Sequence, residues 1–170
     1  AEGLRPGAWQ GGGVLSFGSL TNANFGGLKG NQDLALTNAS CQAVTLSVGY
    51  NGSFATAFSG VLKGAGTLVK AGPADFTLNG AGANTYSGGV TTLIAGRLGL
   101  AKTGGAAAIP GDFTGINSAS PDVYTTQDNQ FTPGAVMYFS GNSGDHVRFE
   151  LMGATQTLAG FDNTASASQR

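Results

Sequence analysis

Four polar residues near the C-terminal end have the types and the spacing that acid–base chemistry requires. Asp145, His146, Arg148 and Glu150 are close together in the chain, and a histidine beside a carboxylate can transfer protons near neutral pH. The same stretch alternates strictly, because positions 147, 149 and 151 are apolar. A strand with this pattern buries its apolar side and leaves its charged side in water. We therefore interpret these charges as a solvated strand face and not as a catalytic group.

Three aspartates in the middle of the chain are a second candidate. Paired carboxylates hydrolyse glycosidic bonds, and aspartate clusters bind calcium. Asp112, Asp122 and Asp128 lack the D-x-D-x-D-G spacing of a calcium loop, so we interpret them as separate loop residues. The sequence predicts no metal, no cofactor and no enzyme activity. A carbohydrate-active β-helix, with acidic groups gathered in one lateral groove, is the alternative hypothesis.

Three polar side chains are candidates for contact with a ligand or a partner: Tyr124, Tyr138 and Asp128. Aromatic rings that share a face can stack on sugars, although such rings also pack under loops. A carbohydrate-binding surface that includes the two tyrosines is therefore a further hypothesis.

The composition argues against several classes of protein. Of 170 residues, 30 are glycine, and 10% are charged with a net charge of -1, whereas ordinary soluble domains have about 25% charged residues. The lysines and arginines, Lys70 and Lys102 among them, are scattered singly, which argues against a nucleic-acid partner. The single cysteine, Cys41, cannot form an internal disulfide, and no stretch is apolar over the length of a membrane span.

Short apolar pairs between glycines organise residues 58–102. A glycine, one or two polar residues and an apolar-x-apolar pair recur, for example at positions 34–36, 76–78 and 98–100. Such pairs are too short for helices and indicate short strands between frequent turns. Because similar units bury their apolar sides by stacking on one another, the pattern predicts an all-β chain folded as a β-solenoid, with a β-sandwich as the alternative. The expected core anchors of the turns are Leu62, Leu68, Phe76, Leu78, Leu98 and Leu100.

We expect one solenoid domain over residues 1–170. The pattern lapses over residues 103–133, which contain prolines at 110, 121 and 133. Because proline lacks the N–H that a strand donates, we expect an irregular loop insertion here that projects from the body. For residues 165–170 we expect a flexible tail.

The stretch FSGVLKGAGTLVKAGPADFTLNGAGANTYSGGVTTLIAGRLGLA resembles the autotransporter-associated beta-strand repeat of bacterial surface proteins. The matching motifs are S-G at 59–60, G-x-L-x-K-x-G at 66–72, an apolar-x-L-x-G unit at 76–80, N-T-Y-x-G at 84–88 and A-G-x-L at 95–98. The resemblance implies a right-handed parallel β-helix that is exported to the cell surface. It implies no catalytic residues, because the repeat is a structural unit and the passengers that contain it are mostly adhesins or scaffolds.

Together, the residues and the resemblance predict an extracellular structural or adhesive module at the bacterial outer surface. A solenoid has two ends with unpaired backbone groups, which must be capped or paired. We therefore expect self-association, head to tail into fibres or with neighbouring repeats, and surface glycans or another cell surface as further partners.

Overall fold

The computed structural model describes residues 15–50, 54–117, 121–141 and 146–163, and these contain strands, turns and no helix. The strands form three sheets that we call sheet 1, sheet 2 and sheet 3. Sheet 1 contains β1 (Asn22–Phe25), β3 (Thr45–Val48), β6 (Thr67–Lys70), β9 (Thr91–Leu93), β11 (Phe113–Asn117), β13 (Val136–Gly141) and β15 (Gly160–Asp162). Sheet 2 contains β4 (Thr56–Phe58), β7 (Phe76–Gly80), β10 (Arg97–Lys102), β12 (Asp122–Thr125) and β14 (Arg148–Glu150). Sheet 3 contains β2 (Leu34–Ala35), β5 (Leu62–Gly64) and β8 (Thr85–Tyr86).

From β3 to β10 the chain passes through sheets 1, 2 and 3 in a fixed order, and from β11 to β15 it alternates between sheets 1 and 2. On the third side of these later turns, Ile109 and Phe131 form an isolated parallel bridge. Every pairing between these strands is parallel, and register partners on successive turns are separated by 20 residues (Phe58 and Leu78) to 28 residues (Leu34 and Leu62). The molecule is a β-solenoid of about six turns. This confirms the predicted architecture, and the β-sandwich alternative is wrong because a sandwich requires antiparallel sheets.

Alternating side chains form one continuous core inside the turns. In sheet 1 Leu46 stacks in register on Leu68, and in sheet 2 Phe76 stacks on Leu98. In-register parallel strands place their inward-facing side chains over one another, so an apolar residue on one turn covers the apolar residue on the next. The six expected anchors are all fully buried: Leu62, Leu68, Phe76, Leu78, Leu98 and Leu100.

The segment 103–133 is a turn of the solenoid, so the prediction of an irregular loop insertion is wrong for its described residues. It contains β11 and β12, and Phe113 and Val123 are fully buried in the core. Pro121 precedes β12 directly, and its carbonyl accepts a hydrogen bond from the Arg148 amide at 3.1 Å. The prolines therefore stand at corners, where the missing N–H is not needed by a ladder.

The predicted tail, 165–170, lies outside the described residues. Among the residues that are described, no helix has the length and apolar character needed to cross a membrane.

Candidate functional site

The three candidate contact residues lie on three different sides of the solenoid. Tyr124 belongs to β12 and lies on the outer face of sheet 2, whereas Tyr138 belongs to β13 on the outer face of sheet 1. Asp128 follows β12 on the third side of the turn. Tyr138 is 36% exposed, while the other two side chains make hydrogen bonds within the chain. The structure therefore does not bring the three residues into one site.

A charge network covers the C-terminal half of sheet 2. Arg148 binds Asp122 through two hydrogen bonds, of 2.7 and 3.1 Å, and its Nε lies 3.2 Å from Glu150. Arg97 contributes an ion pair with Glu150 at 3.2 Å and a longer one with Asp122 at 3.7 Å. The hydrogen bond to Asp122 raises the pKa of Arg148. The two carboxylates on this face are thus neutralised by two cations, and each is held in place by both of them.

Tyr124 is part of this network. Its ring lies across Gly99, where a Cβ would collide with the phenol group. The Arg97 guanidinium carbon lies over the ring, 4.6 Å from its centroid, and the hydroxyl lies 3.4 Å from the Thr77 hydroxyl. A cation over an aromatic face is attracted by the ring quadrupole. The Tyr124 ring is therefore occupied by Arg97, and Tyr138 is the more accessible of the two predicted tyrosines.

Two of the loop aspartates bind backbone amides of the next turn. Asp112 Oδ1 accepts a hydrogen bond from Val136 N at 2.8 Å, and Asp128 Oδ1 accepts one from Thr155 N at 2.7 Å. An aspartate at the other end of the chain, Asp33, does the same and holds Val61 N at 3.0 Å. These bonds give the aspartates a structural role that the sequence reasoning did not predict.

Buried amide side chains also join the turns. Asn84, 2% exposed, accepts a hydrogen bond from Leu62 N at 2.9 Å and donates one to Ala108 O at 2.8 Å, so it connects the turns on both sides of its own. Gln130 is fully buried and forms bonds of 2.8 and 2.9 Å with the backbone N and O of Lys102. The N-T-Y-x-G motif contains Asn84, but the motif does not reveal which groups it binds.

Two lysines are buried at corners of the turns, although in the sequence they are only two of the singly scattered charges. Lys70 donates to the carbonyl groups of Ala71, Gly72 and Ala95 at 3.3, 2.8 and 2.8 Å. Lys102 donates to two further backbone carbonyls, at 3.0 and 3.2 Å. Burial lowers the pKa of Lys70 to about 8 and lowers that of Lys102 as well. Strand alternation could have indicated this burial, because each lysine stands two positions after a core leucine and so lies on the same face of its strand.

The N-terminal end of the core is covered. Phe17 is 4% exposed, and its ring stacks on Phe25 at a centroid distance of 6.4 Å. The Gly18 carbonyl accepts a hydrogen bond from Ala39 N at 2.8 Å. Ala23, the inward residue of the first strand of sheet 1, is only 7% exposed as a result.

At the C-terminal end of the described residues, a column of core side chains continues into an exposed phenylalanine. Phe161 is in register with the buried Met137, so it continues an inward column of sheet 1, yet it is 55% exposed. One neighbour of its ring is Phe139, at a centroid distance of 5.1 Å. Leu151 and Met152 are exposed at the same end. Large apolar side chains are thus exposed near the last described strand of sheet 1.

The structure brings together only some of the residues considered for acid–base or metal chemistry. Asp122, Arg148 and Glu150 belong to one charge network on sheet 2, whereas Asp112 and Asp128 bind backbone amides elsewhere. His146 is exposed, and its neighbour in sequence, residue 145, lies outside the described part of the chain. Within that part, no three His, Cys, Asp or Glu side chains lie close enough to hold a metal ion.

Comparison with models of protein families, with curated proteins and with solved structures found no match to this chain. The likeness to the autotransporter-associated repeat therefore depends on the motifs of residues 58–102 and stays a prediction. The solenoid itself is described by the strand pairing and needs no relative to support it.

Proposed function

We propose that the chain is a structural and adhesive module of a bacterial outer surface, a rigid solenoid that holds contact surfaces away from the cell and associates with other copies. The observation that carries this proposal is the use of polar side chains between turns. Asn84, Gln130 and the loop aspartates bind backbone groups of neighbouring turns. Because these side chains are used in bonds between turns, they make the solenoid rigid and are not available for catalysis. The repeat motifs of residues 58–102 support the surface location.

Contact with other surfaces requires exposed side chains that are not bonded between turns. Tyr138 is exposed on a sheet face where its register neighbours are the polar Thr114 and the charged Asp162. An exposed ring beside hydrogen-bonding side chains can lie against a sugar ring. Surface glycans are therefore the class of ligand that we propose for this face.

Display of the chain on bacterial cells through an unrelated anchor tests the proposal. We expect cells that display the chain to attach to an array of immobilised glycans, and we expect Tyr138→Ala to reduce that attachment. Tyr50→Ala is a matched control, because Tyr50 is 59% exposed and follows β3, which is four strands away from β13 in sheet 1. If folded, displayed chain conferred neither attachment to glycans nor association between cells, the proposed function would be wrong.

A further inference from the structure

The outer face of sheet 1 carries two columns of small side chains over four successive turns. One inward residue of each strand is fully buried: Leu46, Leu68, Thr91 and Phe113. Because successive side chains of a strand point to opposite faces, the residues on either side of each of these point outward, and none of them is buried. The strand register aligns them from turn to turn. We call these eight residues the sheet 1 array: Thr45, Thr67, Val90 and Asp112 in the first column, and Ser47, Val69, Thr92 and Thr114 in the second.

The sheet 1 array is flat and nearly free of charge. Seven of its eight residues are serine, threonine or valine, whose side chains are short. The eighth, Asp112, accepts a hydrogen bond from Val136 N at 2.8 Å. The outer face of sheet 2 differs, because it carries the ion pairs of Arg97 and Arg148. Long charged side chains extend their charged groups into water, so sheet 2 presents no comparable flat surface.

The side chains of the array are held in place. Six of the eight residues are threonine or valine, and β-branched side chains have a restricted χ1 angle. The Thr67 hydroxyl also donates a hydrogen bond to Val90 O on the next turn at 2.8 Å, and its oxygen can still accept one. Thr91 points inward and its hydroxyl lies 2.6 Å from that of Tyr86, so of two adjacent threonines only Thr92 belongs to the array. The outward methyl and hydroxyl groups therefore form a fixed pattern.

Strand geometry sets the two spacings of this pattern. Neighbouring strands lie about 4.8 Å apart, and alternate residues of one strand are about 6.6 Å apart. Two repeat distances between water oxygens in hexagonal ice are close to these values. Water beside a methyl group loses orientational freedom, while the hydroxyl groups between the methyl groups can donate to water and accept from it. The array can thus hold a layer of water in positions from which an ice lattice continues.

We propose that the sheet 1 array adsorbs to the surface of ice. A second protein fits less well, because four strands that extend about 15 Å cover roughly 300 Å², whereas a stable protein interface buries about 800 Å² of each partner. A glycan also fits less well, since none of the eight residues has an aromatic ring that could stack on a sugar. Ice is matched by flatness and by repeat distance, and the array has both properties.

This inference goes beyond the proposed function, which assigns glycans to the surface around Tyr138. Tyr138 follows Thr114 in the register of the second column, so it lies beside the array and is not a member of it. Adsorption to ice and attachment to glycans are measured in separate assays. Failure of one assay therefore leaves the other proposal intact.

Slow growth of ice from a dilute solution of the isolated chain tests the inference. Growing ice excludes ordinary solutes from its lattice, whereas a protein that adsorbs to the crystal is carried into the frozen fraction. We expect this chain to be enriched in the ice relative to serum albumin that is mixed into the same solution. Equal exclusion of the two proteins from the ice would overturn the proposal.

A bulky side chain within the array locates the contact. Thr92→Tyr raises a ring above the flat face, so we expect most of the enrichment in ice to be lost. Thr85→Tyr is the matched control, because Thr85 is an exposed strand residue of sheet 3, and it should keep the enrichment of the wild-type chain. If Thr92→Tyr does not fold by circular dichroism, Ser47→Arg makes the same test in the same column. Equal enrichment of the folded array variant and the control would contradict the assignment to the array.

Sedimentation over a range of concentrations tests the other occupant of this face, a second copy of the chain. We expect Thr92→Tyr to sediment as the wild-type chain does. If the wild-type chain formed a dimer that Thr92→Tyr dissociated, the array would be a protein interface and its assignment to ice would be wrong.

Discussion

Asn84 is the residue on which the connection between turns depends most clearly. Replacement by alanine leaves the Leu62 amide and the Ala108 carbonyl buried without partners, and each such group costs about 1–3 kcal/mol. We therefore expect Asn84→Ala to lower the free energy of unfolding by about 3 kcal/mol, as measured by urea denaturation. Asn24→Ala, at an exposed position of β1, should change it by less than about 0.5 kcal/mol. Equal effects of the two substitutions would contradict the role of Asn84.

Lys70 makes stability depend on pH in a direction opposite to that of most paired lysines. Its pKa is about 8 in the folded chain, because burial outweighs the attraction of Asp75, and its ordinary value is 10.5. Between these values the unfolded state binds more protons, so stability rises as the pH rises through about 8.

The pH dependence is measurable by urea unfolding at pH 7 and pH 9.5. We expect the wild-type chain to gain stability over this interval and Lys70→Met to gain less. Lys102 shifts in the same direction, so the variant should retain part of the gain. An identical pH dependence of the two proteins would show that Lys70 keeps its ordinary pKa in the fold.

At the scale of the element, glycine permits the close approach of successive corners. A Cβ at Gly66 would collide with the backbone carbonyl oxygens of Val44 and Leu36, which cannot move without breaking the turn. We expect Gly66→Ala to destabilise the chain by about 3 kcal/mol in thermal or urea unfolding. Gly134→Ala is the matched control, since nothing lies within 4 Å of its added Cβ. Tolerance of alanine at both positions would rule out the close stacking described here.

The turn built from residues 103–133 can be probed through β11. Phe113 is fully buried and contacts Phe131 edge to face, so Phe113→Ala should cost about 4 kcal/mol of unfolding free energy. Gln127→Ala, at an exposed position of the same segment, should be nearly neutral. A small effect of the phenylalanine substitution would return this segment to the status of a projecting loop.

The sequence allowed the turns to be predicted where the local signal and the tertiary role agree. Leu68 and Leu98 alternate with polar residues, and strand parity alone places them in the core. Lys70 has the same parity, but its burial depends on three carbonyl groups from two turns, and no local pattern encodes that arrangement. Pro121 contributed to the wrong prediction of a projecting loop, because a corner of the solenoid and a loop have the same composition. The site residues were the least predictable, since Arg97 and Tyr124 are 27 positions apart and meet through strand register.

At the scale of the whole molecule, the solenoid is asymmetric. Phe17 covers the core at one end, and Phe161 is exposed at the other. Neighbouring turns stabilise one another in such a stack, so the interior turns gain from two neighbours and an end turn from one. A stack of this kind is rigid along its length. This rigidity suits the proposed role, a module that presents contact surfaces.

Hydrogen exchange followed by mass spectrometry tests this account most directly, because exchange reports local opening along the chain. In dilute, monomeric chain we predict the slowest exchange in the central strands β6, β7, β9 and β10, and the fastest strand exchange in β14 and β15. Strong protection of β14 and β15, or faster exchange in the central turns than in these two strands, would contradict a solenoid whose turns stabilise one another.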